Sequence, residues 1–132
     1  MTPPHQRVCL VLLVLGFVGA CRSGLRFREL ERRTSPDGQL DLVLSSPPAG
    51  ATVSTPYEVF LVLKGAVPSV NDAVLRIDKA QQPKIAWLTP ELAVITCEGA
   101  RIWQFRNFAT VRSSGDRFIK AAVKLECGQN GY

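Results

Sequence analysis

Between residues 39 and 127 the chain is built from short runs of alternating or wholly apolar residues, each closed by Gly, Pro, Asp, Asn or Ser. Such runs are too short for helices and carry a period of two, which is the pattern of β-strands. Residues 39–45 place Leu40, Leu42 and Leu44 on one face and Asp41 and Ser45 on the other. Residues 57–64 are apolar on both faces and predict a central strand. Residues 73–79 set Leu75 and Ile77 between polar neighbours, and residues 84–88 carry Trp87. Residues 92–98 and 101–108 are separated by Gly99-Ala100 and predict a tight hairpin. Residues 118–127 put Ile119, Ala121, Val123, Leu125 and Cys127 on one face. Strand follows strand without an intervening helix, so the expected fold is all-β: a small antiparallel sandwich, barrel or curved sheet of about seven strands.

The first 34 residues read differently. Residues 1–7 are polar with one Arg, residues 8–18 are nearly all apolar, and Gly19-Ala20 precede Cys21. This is the layout of a secretory signal peptide. As a helix the apolar run spans about 17 Å, short of the roughly 30 Å of a bilayer core. Val18-Gly19-Ala20-Cys21 resembles the bacterial lipobox. The resemblance implies cleavage after Ala20 and acylation of Cys21, with residues 1–20 as signal peptide. Residues 21–34 then form a tether and residues 35–132 a single β-rich domain that opens at the Ser35-Pro36-Asp37-Gly38 turn. Arg22, Arg26, Arg28, Arg32 and Arg33 in the tether are candidates for contact with anionic head groups. The stretch 25–33 is also compatible with one or two helical turns. The resemblance extends to an address in the bacterial envelope. Arg22, rather than Asp, follows the Cys, which points to the periplasmic face of the outer membrane in a Gram-negative host.

Several chemistries are excluded by composition. The single histidine is His5, inside the leader, so residues 21–132 hold none and histidine-dependent triads and zinc sites are ruled out there. No Walker loop, GxGxxG or CxxC occurs, and no catalytic, metal or cofactor site is expected. The net charge of +5 is diffuse and no nucleic-acid module is present, so nucleic acid is not an expected partner. Asp37 and Asp41 lie near each other in sequence and read as a turn residue and an exposed strand residue. Cys97 and Cys127 both fall on core-facing positions. They form either a disulfide, closing a loop of about 30 residues, or two buried thiols. Trp103 and Phe105 share a strand face and read as core; Arg101, Trp103 and Arg106 are a candidate binding rim.

The order SPDG at 35–38, ATVS at 51–54, YEVFLVLKG at 57–65 and ITCEGARIWQFRNF at 95–108 resembles a family of small uncharacterised bacterial envelope proteins. That likeness spans roughly residues 34–108 and departs from the family at Cys97 and Ala109. It implies no activity. The functional expectation is a membrane-anchored envelope lipoprotein that binds a protein partner or supports an assembly without catalysis. The alternatives are a periplasmic inhibitor or small-ligand binder and, less favoured, a hydrolase using paired carboxylates.

Overall fold

The computed structural model describes residues 27–46 and 56–128. Their regular structure is nine β-strands and one 3₁₀ turn: β1 (Arg28–Thr34), β2 (Leu40–Ser46), β3 (Tyr57–Leu63), the turn Val70–Asp72, β4 (Ala73–Asp78), β5 (Lys84–Thr89), β6 (Leu92–Glu98), β7 (Arg101–Phe105), β8 (Phe108–Arg112) and β9 (Phe118–Gly128). Two sheets result, a five-stranded one in the order β1-β2-β3-β4-β7 and a four-stranded one in the order β5-β6-β9-β8. Every pairing is antiparallel except β6 with β9.

The sheets share one core. Leu40, Leu42, Leu44, Val59, Leu61, Leu75 and Ile77 from the first meet Ile85, Ala93, Ile95, Cys97, Ala121 and Val123 from the second. Alternation puts these side chains on the inner faces, and the all-β class read from the sequence is the class observed, as a two-layer sandwich.

The segment 28–34 is not a tether but the edge strand β1, so the fold begins before residue 35. Ser35-Pro36-Asp37-Gly38 is the turn of the β1–β2 hairpin. Ser35 donates from its hydroxyl to Asp37 at 2.7 Å, and Gly38 donates its N–H to the Ser35 carbonyl at 2.8 Å. The six charged and polar positions of RELERRT hide this strand, whose inward contribution is Leu30 alone.

The expected hairpin at Gly99-Ala100 is absent. Strands β6 and β7 are consecutive but belong to different sheets. The reason is that β6 already has β5 on one edge and β9 on the other, leaving no edge for β7. Gly99, with φ of 62°, starts the crossing to the other sheet, where β7 pairs with β4. The run 101–108, expected as one strand, divides at Arg106-Asn107. Arg106 still donates its N–H to Val74 in the first sheet, whereas the Asn107 carbonyl accepts from Val123 in the second.

Strand β2 is buried along its whole length, which corrects the expectation that Asp41 is exposed, and Ser45 on the same face is buried with it. The outer face of the five-stranded sheet carries a second cluster, Val43, Phe60, Val62 and Ala73, against which Phe27 and Ala66 pack. The Phe27 and Phe60 rings lie 5.3 Å apart in a tilted pair, within the range favoured by aromatic quadrupoles.

Cys97 and Cys127 face each other across the parallel β6–β9 pair, with Cα atoms 4.4 Å apart, and are joined as a disulfide. Of the two outcomes left open by the sequence, the bonded one is observed. Replacing both by Ala should lower unfolding stability by about 3–4 kcal/mol on the chain-entropy account. Urea denaturation checks this; an unchanged midpoint, together with insensitivity of the wild type to reductant, would count against it.

Candidate functional site

The most distinctive exposed chemistry lies along the free edge strand β7. Arg101 stands opposite Asp78 of β4 and forms a two-point pair with it, Nε to Oδ1 at 2.8 Å and Nη2 to Oδ2 at 2.5 Å. The same guanidinium lies over the Trp103 ring, 4.3 Å from its centroid, a cation–π geometry. The Arg101 hydrogen bonds hold the Asp78 carboxyl below its ordinary range, against partial burial, with the Trp103 indole adding to the effect. The Arg101 guanidinium is shifted upward by the same pair.

A β-bulge explains how Trp103 comes to the surface. The register jumps between Arg76–Gln104 and Ile77–Ile102, leaving Trp103 as the extra residue on β7. Phe105 stays opposite core-facing Leu75 and Ile102 opposite core-facing Ile77, while Trp103 turns out beside Arg101. The core placement read for Trp103 and Phe105 from alternation is therefore corrected. Trp103 is 63% exposed and Phe105 36%, and Ile102 and Phe108 beside them are also open to solvent. An edge strand buries one flank only, and the bulge ends the shared facing of Trp103 and Phe105.

Arg106 does not join Arg101 and Trp103. It lies beyond the other end of β7, where Nε donates to the Ala73 carbonyl at 3.0 Å and Nη2 to the Asn71 carbonyl at 2.5 Å. These bonds pin the segment before β4 against the crossing from β7 to β8. Both guanidinia of the expected rim are thus engaged within the protein, one by a carboxylate and one by carbonyls. The aromatic face of Trp103 is what remains on offer. Trp87, by contrast, is half-buried and donates its Nε1 to the Arg33 carbonyl at 2.9 Å, tying β5 to β1 across the two sheets.

Of the arginines read as head-group contacts, Arg22 and Arg26 lie outside the described residues, as does Cys21. Arg28 is exposed at the start of β1. Arg33 pairs with Glu31 at 2.5 Å. Arg32 pairs with Glu29 at 2.9 Å and with Asp41 at 2.7 Å, and also donates to the Ala66 carbonyl at 3.2 Å.

Asp41 is a buried junction rather than an exposed strand residue. Besides Arg32, it accepts from the Thr34 hydroxyl at 2.7 Å and from the Gly65 N–H at 2.8 Å. Gly65 has φ of 76°, a conformation that glycine adopts without strain. Burial opposes ionisation of Asp41, but the Gly65, Thr34 and Arg32 bonds outweigh it and hold the carboxyl below its ordinary value. Further along the same face, burial pushes Glu58 up, with nearby Arg76 opposing it. The sequence offered one signal for the Asp41 role, an acid beside the SPDG turn; nothing local pointed to Asp78.

Two open grooves flank β8. One of about 330 Å³ runs between Leu61, Val67, Val74, Arg106 and Arg112. The other, of about 550 Å³, lies between the exposed Phe108 and Phe118, with Arg117, Lys120 and Glu91 on its walls. Among the described residues no three His, Cys, Asp or Glu side chains converge in a way that could hold a metal ion. Compared with protein-family models, curated proteins and solved structures, the chain matches none.

Asp41→Ala should cost about 2 kcal/mol at neutral pH, because it removes one of the two carboxylates that hold Arg32 and leaves the Thr34 hydroxyl and the Gly65 N–H without their acceptor. The folded carboxyl titrates below the unfolded one, so this stabilisation is fully present above the unfolded value and is lost as pH falls through the folded value. Chemical denaturation of both proteins should show the gap narrowing from about pH 4 downward. A gap that is constant with pH would place the loss in packing alone.

Proposed function

We propose that this chain is an envelope lipoprotein, anchored through Cys21, whose β-sandwich is a non-enzymatic binding or structural module. The observation that carries the structural side of the reading is the Cys97–Cys127 bond. Disulfides persist in exported proteins and are rare in reducing compartments. The apolar run 8–18, ending in Val18-Gly19-Ala20-Cys21, supports the same address from the other end of the chain. A lipid with two or three acyl chains would keep the protein on its membrane, whereas a single chain binds only marginally.

For the module itself, the support is the exposed Ile102, Trp103 and Phe105 on the edge strand β7 and Phe108 at the start of β8, the edge strand of the other sheet. Exposed aromatics of this kind are favoured anchors for a partner. A small-ligand or inhibitor role is the second reading. It draws on the Arg101-stacked Trp103 platform and, separately, on the two grooves beside β8.

Cell fractionation tests the anchor. Wild-type protein should sediment with membranes, and the Cys21→Ser variant should be absent from them or present only as uncleaved precursor. Equal recovery of processed, soluble protein from both would defeat the proposal.

A further inference from the structure

We propose that the outer face of the five-stranded sheet is the surface that this domain lays on the bilayer, with Trp103 as its interfacial contact. The inference rests on the lipid-anchor reading of Cys21. Its first argument is reach. Six residue steps separate Cys21 from Phe27, and a fully extended chain of that length spans about 20 Å at most. Phe27 is packed on Phe60, on the outer face of the five-stranded sheet. An anchor at Cys21 therefore holds the point where the chain joins this face within about 20 Å of the membrane.

The second argument is what the face presents. Asp78 and Arg76 lie opposite in alternation to the core residues Leu75 and Ile77, which places Arg101 and the stacked Trp103 on the outer side with them. From Phe60, Trp103 is two strands across and a few residues along, about 15 Å away by strand spacing and rise. The segment between β3 and β4 covers the intervening ground. Ala66 packs on the outer cluster, the Val70 carbonyl accepts from Arg76, and the Asn71 carbonyl accepts from Arg106. From this segment Val67 and Val70 protrude, 69% and 57% exposed.

The third argument is charge. Arg101 is neutralised by Asp78, so the Trp103 platform carries no unbalanced charge into the interface. Arg106, held by the Ala73 and Asn71 carbonyls beyond the far end of β7, keeps its charge without a carboxylate partner among the described residues. Indole rings settle at the head-group level, and nearby cations draw anionic lipid. A protein strand adding to the β7 edge would use Trp103 differently, and the test below separates the two.

Trp87 and Trp103 are the two tryptophans of the chain, so Trp87→Phe leaves Trp103 as sole reporter. The membrane-extracted variant, with its lipid verified by partition into a detergent phase, is reconstituted into vesicles of phosphatidylethanolamine and phosphatidylglycerol. Some vesicles carry a nitroxide near the head group. Trp103 emission should shift to the blue and be quenched by the nitroxide. A second reporter, Leu88→Trp with Trp87→Phe and Trp103→Phe, sits at an exposed position of β5 on the four-stranded sheet and should show water-exposed emission that the nitroxide leaves alone. Unquenched Trp103 in a lipid-bearing sample overturns the orientation and leaves the anchor standing. Equal quenching of both reporters also overturns it, since no face is then preferred. A sample that fails to enter the detergent phase removes the anchor reading, and the orientation falls with it.

Discussion

Strand β9 is the member on which the second sheet depends. Its first half pairs with β8 and its second half with β6, meeting at Ala122. Without β9 the β5–β6 hairpin and β8 have no common neighbour, and the inner face of the five-stranded sheet loses its cover. A parallel pair cannot be closed by a short turn, and β9 reaches β6 only after the chain has crossed to the other sheet and back. The Cys97–Cys127 bond joins the two strands directly near the end of their pairing. It offsets much of the loop-closure entropy that such a long return entails.

A second constraint acts on the other sheet. Five strands would normally leave one face wet, yet β2 and β3 are covered on both sides. The Asp41 junction makes this possible. By accepting from Arg32, Thr34 and Gly65 it ties β1, β2 and the segment after β3 to one point. Phe27 and Ala66 can then lie on Phe60 and Val43. The start of the described chain is thereby fixed to the outer face, on which the proposed orientation of the domain builds.

The legible and illegible parts of the sequence divide along local and non-local lines. Strands 39–45, 57–64, 73–79 and 118–127 were readable because their alternation or apolar runs are local signals, and the core they predict is the core observed. Strand β1 was not, since its charged side chains are satisfied by each other and by Asp41 rather than by solvent. The missing hairpin at Gly99 depends on β6 having both edges filled, one of them by a strand that comes about twenty residues later. Trp103 looked like core because a bulge is invisible to alternation. The carboxylate partner of Arg101, Asp78, lies 23 positions away from it. The candidate site was thus half legible: Arg101 and Trp103 were rightly grouped, Arg106 was not, and the carboxylate that organises them gave no local sign.

Intact mass of the protein extracted from membranes tests most directly whether the disulfide-held sandwich carries the proposed lipid at Cys21. The predicted mass is that of residues 21–132 with acyl chains added and with the thiol hydrogens of Cys97 and Cys127 lost. A mass without lipid, or one that retains residues 1–20, would contradict the anchor on which the functional reading stands.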